Sequence, residues 1–253
     1  MFRLIASYPK SGNTYVRVFL SHYLRGETDL NRLGFPLFSS IAFFPIGMPR
    51  PRHSLRGPER DIYVKTHETP NFFGRGHVDR ALYLVRHPYD VCPSFARHMG
   101  INHDKAVEGL ANLKNSLVGT DKIYPQFISS WSRNVSMWLG NDRFPTLFIR
   151  YETLAAYPDY GFREILNFFG FPVVEEKFQA SLEFVRIENL QAKENDMKEG
   201  GEKTQFREAR GSTGKFFNVG RAGNGREVLT PEQMQRIYKT HGKIMDLLHY
   251  ENA

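Results

Sequence analysis

The stretch Arg3-Leu4-Ile5-Ala6-Ser7-Tyr8-Pro9-Lys10-Ser11-Gly12-Asn13-Thr14-Tyr15 decides the fold. Arg3–Tyr8 is short and apolar, as a buried strand is, and Pro9-Lys10-Ser11-Gly12 punctuates it. Thr14–Arg25 then places Val16, Phe19, Leu20, Tyr23 and Leu24 at the spacing of a helix with one buried face. A strand that turns tightly into a helix aims the free N–H groups of that helix at the crevice above the strand. Ser11 and Gly12 let the backbone approach an anion, Lys10 supplies a charge and Thr14 a hydroxyl. This is not a Walker A loop, which needs G-x-x-x-x-G-K-[ST]. A plain strand-to-helix turn with a solvated lysine fits the same residues, so the loop by itself leaves both readings open.

The same rhythm continues along the chain. Ile62–Val64, Ala81–Val85 and Thr146–Ile149 read as further strands, and Tyr89–His98, Tyr124–Leu139 and Tyr160–Phe169 as helices. Alternating strands and helices predict one α/β domain over residues 1–253, a central parallel sheet flanked by helices. Two segments break the pattern. Residues 33–60 are rich in Pro, Gly, Phe and Arg and read as a flexible loop over the acceptor. Residues 189–226 are polar and Gly-rich, and the four basic residues from Arg210 to Arg226 face no acidic one, the composition of a flexible lid over a phosphate. Thr230, Pro231 and Gln233 then signal a capped final helix.

Composition narrows the partner. The 253 residues carry 34 Lys and Arg against 27 Asp and Glu, a net charge of +7 that favours an anionic ligand. One cysteine, Cys92, excludes an internal disulfide framework and argues against a cysteine zinc site. The longest apolar stretch, Ile41–Met48, contains Pro45 and is too short for a bilayer, so no membrane partner is expected. The first residues lack a signal peptide's pattern, and a cytoplasmic protein is the expectation.

Two more strand ends carry chemistry. Arg86, in Val85-Arg86-His87-Pro88-Tyr89-Asp90, offers a planar fork for a phosphate, and Ser94 adds a hydroxyl from the next helix. Pro93 is expected in the first turn of that helix, where it costs no hydrogen bond. Val64-Lys65-Thr66-His67 ends another strand; His67 has the chemistry of a base near neutral pH, and Lys65 that of a charge stabiliser. Taken singly, each also has a structural explanation: an arginine capping strand carbonyls, a hydrogen-bonded surface histidine.

Together these motifs resemble the sulfotransferases that use 3′-phosphoadenosine 5′-phosphosulfate (PAPS). Tyr8-Pro9-Lys10-Ser11-Gly12-Asn13-Thr14-Tyr15 is similar to the family's Y-P-K-[SA]-G-[TN]-T-W loop, with Tyr15 where Trp is usual. Arg86 and Ser94 match the spacing of its R-[ND]-P-x-D-x-x-x-S block, and Lys65-Thr66-His67 its K-[ST]-H triplet. The resemblance implies a P-loop-like fold. It assigns the 5′-phosphosulfate to Lys10, Ser11, Gly12, Asn13 and Thr14, the adenine to Tyr15 and Tyr151, and the 3′-phosphate to Arg86 and Ser94. It makes His67 the general base, with Lys10 and Lys65 meeting the developing charge.

One block departs from the family. Phe216–Arg226 parallels F-x-R-K-G-x-x-G-D-W-K with Gly220 and Gly223 in register, but Asn218-Val219 replace the paired Arg-Lys. Arg221 is the first choice to supply the missing charge, ahead of Lys215 and Arg210. The family's K-x-x-x-T-V dimerisation core is interrupted by Pro231, so that dimer is not expected and the oligomeric state stays open.

The expected reaction is in-line sulfuryl transfer from PAPS to a hydroxyl or amine of a small molecule, with a natural product as the substrate class and no metal. Phe35, Phe38, Phe43, Phe44 and Met48 are candidates for an apolar acceptor wall, with Arg50, Arg52 and Arg56 nearby and His98 and Met99 facing it. A nucleotide-dependent kinase is the alternative enzyme, disfavoured by the missing Walker A pattern and magnesium carboxylates. A catalytically silent nucleotide-binding protein is the other alternative. No RNA-binding motif with interleaved aromatics appears, so no nucleic-acid partner is expected.

Overall fold

A computed structural model describes residues 2–29, 62–74, 76–118, 125–199, 216–217 and 220–250. Strands β1 (Phe2–Ser7), β2 (Ile62–Thr66), β3 (Val78–Val85) and β6 (Thr146–Arg150) form a four-stranded sheet in the order β2-β1-β3-β6. Every pairing is parallel. Successive side chains of a strand point to opposite faces, and the core divides accordingly. Leu4, Ala6, Val64, Tyr83 and Val85 join one cluster, Ile5, Tyr63, Leu82 and Leu84 the other.

Helices cover both faces, which is why the strands read as continuous apolar runs rather than alternating ones. On one side lie α2 (Pro88–Met99), α3 (His103–Ala111), α4 (Trp131–Leu139) and α10 (Pro231–Leu247), contributing Val91, Phe95, Ala106, Trp131 and Ile237 to the core. On the other lie α1 (Asn13–Arg25), α6 (Pro158–Phe169) and α7 (Glu175–Phe184), where Phe19 stacks on Phe162 at 3.8 Å between ring centroids. A short α5 (Tyr151–Ala156) follows β6 directly, and the two-residue strands β4 (Ser116–Leu117) and β5 (Gln126–Phe127) pair antiparallel beside the sheet. The α/β fold expected from the alternating pattern is the fold observed.

Register explains how distant motifs meet. Ala6 pairs with Thr66, Ser7 with Leu84 and Val85 with Arg150. The carboxyl ends of all four strands therefore share one edge, where ligands of open parallel sheets bind. The chain leaves that edge at Tyr8, His67, Arg86 and Tyr151.

Three local expectations are corrected. The helix read over Tyr124–Leu139 begins only at Trp131: Gln126 and Phe127 are β5, Ser129 has φ 58°, and the Ser130 hydroxyl accepts from Arg133 N as N-cap. Pro93 is the sixth residue of α2 rather than part of its first turn. It therefore leaves the Tyr89 carbonyl without its intrahelical donor. Against that carbonyl packs Gly225 of α9 (Asn224–Val228), where an added Cβ would sit 2.1 Å from the oxygen. Finally, the segment read as a lid is helical over its first part, α8 spanning Ile187–Glu199. Residues 200–215, 218 and 219, among them Arg210, Lys215, Asn218 and Val219, lie outside the described residues, as does the whole segment 33–60 with its aromatics and arginines. The capping box at Thr230 and Gln233 is present as read.

Candidate active site

The loop after β1 is built to face an anion. Lys10 (φ 67°) and Gly12 (φ 92°) both adopt the left-handed conformation, a kind of backbone from which anion-binding nests are made. For Lys10 this is a strained state, held where the site needs it. Gly12 caps α1 without any side-chain hydrogen bond, and the first turn of α1 holds no acidic residue. Its positive end is therefore offered outward. Gly12 is required twice over, by its φ and because a Cβ there would lie 2.5 Å from Cδ2 of Tyr151.

Above this loop opens a cavity of about 700 Å³. Lys10, Gly12, Asn13, Thr14, Tyr15, Lys65, His67, Arg86, Ser94, Tyr151 and Gly220 all line it, bringing most of the residues named from sequence into one space. Two of them do not line it. Ser11 is fully buried, and among the described residues its hydroxyl has no hydrogen-bond partner. Arg221 turns its guanidinium to Glu227 at 2.5 Å, and only its carbonyl reaches the site, accepting from Arg86 at 3.2 Å.

Arg86 is held from several sides. One Nη donates to the Lys10 carbonyl at 3.3 Å, the other lies 3.7 Å from Asp90, and the guanidinium sits 4.4 Å above the Tyr151 ring. Among the described residues its buried Nε has no partner, a donor position that a phosphate oxygen would satisfy. The Tyr151 hydroxyl in turn donates to the Gly220 carbonyl at 2.6 Å. Asp90 accepts from the backbone N–H groups of Gly223 and Gly225, fixing the start of α9 against α2.

His67 carries a defined tautomer. Its Nδ1 lies 2.7 Å from the Ser7 carbonyl oxygen, which only accepts, so Nδ1 bears the hydrogen and Nε2 keeps its lone pair. The backbone on either side is fixed as well: His67 N donates to Gln126 Oε1 at 2.7 Å, and Asn134 Nδ2 donates to His67 O. Burial, reinforced by the positive charge of Lys65, pushes the His67 pKa well below its ordinary value. The ring is thus neutral, the form a base requires.

The surroundings are densely cationic. Burial and the neighbouring Arg17 bring Lys65 down to about 7. Burial alone lowers Arg17 to about 10. His98, which lines the same cavity, falls to about 4 through burial and the charges of Lys10, Lys65 and Arg97. An anion bound among these groups would favour every charged form.

Several contributors escaped sequence reading. Arg17 lies one turn beyond Asn13 on α1 and lines the cavity although buried; its only sequence signal was a charge beside the apolar face of a helix. Gln126 and Phe216 also line it, Lys10 Nζ lying 5.1 Å from the Phe216 ring centre. Glu194 on α8 holds that segment by accepting from Phe216 N and Phe217 N at 2.8 and 3.0 Å. Among the described residues, no group of three or more His, Cys, Asp or Glu side chains is placed to hold a metal ion, and no helix is long and apolar enough to cross a membrane.

Comparison with known proteins agrees with this geometry. The sulfotransferase domain matches residues 3–249, and the chain belongs to that family. Sulfotransferase 1A1 of Rattus norvegicus and of Mus musculus are each 24% identical over 204 residues, 77% of this chain and 67% of theirs. Mouse sulfotransferase SULT7A1, solved with PAP, aligns over 97% of this chain and 84% of its own with a TM-score of 0.63 at 17% identity. Retinol dehydratase, solved with androsterone and the inactive cofactor PAP, aligns over 96% and 80% with a TM-score of 0.67 at 18% identity. At these identities the solved structures establish the shared fold.

Proposed function

We propose that the protein transfers the sulfuryl group of PAPS to a hydroxyl, or an amine, of a small-molecule acceptor, with a natural product as the class of acceptor. The single observation that carries this reading is the convergence on one cavity of an anion-binding loop at Lys10–Thr14 and a histidine whose free nitrogen is Nε2. The donor fits the residues present: among the described residues Arg86 Nε, in the cavity wall, is a buried donor without a partner, and the α1 N-terminus is uncapped by any side chain. Solved relatives bound to PAP support the same ligand.

In this reading Lys10 and the α1 N-terminus hold the 5′-phosphosulfate, Arg86 and Ser94 the 3′-phosphate, and Tyr15 and Tyr151 flank the adenine. His67 Nε2 takes the acceptor proton as the new oxygen–sulfur bond forms. The bond from sulfur to the bridging oxygen breaks, and Lys10 and Lys65 meet the charge left on PAP. Arg221 turns its guanidinium to Glu227 and reaches the site through its carbonyl, so Arg86 serves the 3′-phosphate without it. The test is His67→Ala. Loss of a general base is expected to lower kcat by about 10²–10⁴-fold while PAP affinity is kept. Unchanged turnover would falsify the role of His67.

A further inference from the structure

Gln126 stands out because its amide orientation is fixed by the protein itself. His67 N is a donor, so the side-chain atom 2.7 Å from it must be the Gln126 carbonyl oxygen. The amide NH₂ is then the other end of the group, and among the described residues none accepts from it, although Gln126 lines the cavity. The position is pinned twice. Phe127 N donates to Glu68 Oε1 at 2.8 Å, so β5 and the turn after β2 exchange reciprocal side-chain-to-backbone bonds. Leu117, Val118 and Met99 supply apolar lining to the same cavity. A donor that a ligand covers and leaves unmatched costs about 1–3 kcal/mol, so an acceptor oxygen on the ligand is favoured here.

Resting on the sulfuryl-transfer reading above, we infer that Gln126 is a specificity-determining residue that donates a hydrogen bond to a carbonyl or ether oxygen of the acceptor, close to the hydroxyl served by His67. The acceptor class is thus an apolar scaffold bearing a hydrogen-bond-accepting oxygen near its reacting hydroxyl. A purely hydrocarbon-substituted alcohol or phenol leaves the amide unsatisfied and is selected against.

The test uses a matched pair of phenols, meta-hydroxyacetophenone and meta-ethylphenol, which differ in one carbonyl. Their affinities for the full-length protein saturated with PAP are measured by calorimetry, and their kcat/KM values with PAPS by product mass. Wild type is expected to favour the ketone by about tenfold. Gln126→Leu is expected to erase the preference. Gln126→Glu keeps an acceptor for His67 N but replaces the donor with an oxygen, and is expected to turn the preference towards the ethyl compound. Equal binding of the two phenols to the wild-type PAP complex, binding of neither, or a ketone preference surviving in both variants overturns the assignment. Failure of PAP itself to bind strikes instead at the sulfuryl-transfer reading.

Discussion

Lys65 ties the ionisation of the site to its ligand. Burial and Arg17 bring its pKa from 10.5 to about 7, so in the free protein at about pH 8 roughly one Lys65 in ten is charged. An anion seated on Lys10 and Lys65 restores the charged form. The complex then holds more protons than the free protein, and raising the pH opposes binding. Affinity for PAP is expected to be level below about pH 7 and to weaken by up to about tenfold per pH unit above it. Proton uptake on binding is expected to be about 0.5 at pH 7 and about 0.9 at pH 8. The second ionisation of a phosphate monoester lies near pH 6, below this window. Calorimetry in buffers of contrasting ionisation enthalpy counts these protons directly, and Lys65→Met supplies the control, in which both the slope and the uptake should vanish. A wild-type affinity that is flat from about pH 7 to pH 9, or an unchanged slope in Lys65→Met, refutes the reasoning.

Gly12→Ala forces a side chain into the left-handed region and against Tyr151. The backbone term alone is about 1–2 kcal/mol, so a lower urea midpoint and weaker PAP binding are expected together. Glu194→Ala frees Phe216 N and Phe217 N; faster hydrogen exchange at those two amides is expected, with weaker PAP binding as Lys10 loses the Phe216 ring. Gly225→Ala drives a methyl into the Tyr89 carbonyl, and a loss of thermal stability is expected even though the residue makes no side-chain contact in the native protein.

The frame of the fold was legible because β1, its loop and α1 declare themselves in consecutive residues. Arg86, Lys65 and His67 are legible for the same reason: each stands within two residues of a strand end, and parallel register does the rest, while Ser94 follows from its spacing to Arg86. What the sequence concealed depends on pairs far apart in the chain. Asp90 gave no hint that it holds Gly223 and Gly225, more than 130 residues away. Gln126 was absorbed into an apparent helix because the apolar spacing of Ile128, Trp131 and Val135 extends smoothly backwards; only Ser129-Ser130, an N-cap signal in hindsight, marks the true start. The segment at Ile187–Glu199 looked like loop because its helix buries little, chiefly Leu190 and Glu194, so its apolar stripe is too thin to register. Ser11 was named from its place in a motif, and burial of its side chain cannot be read from spacing.

The most direct test of the proposed donor is a calorimetric titration of the protein with PAP, set beside ATP with magnesium and repeated on Lys10→Ala and Arg86→Ala. Saturable one-to-one binding of PAP is expected, much tighter than ATP–magnesium and sharply weakened in both variants. Binding of ATP–magnesium with no binding of PAP, or PAP affinity indifferent to both substitutions, would contradict the placement of a sulfuryl donor in this cavity.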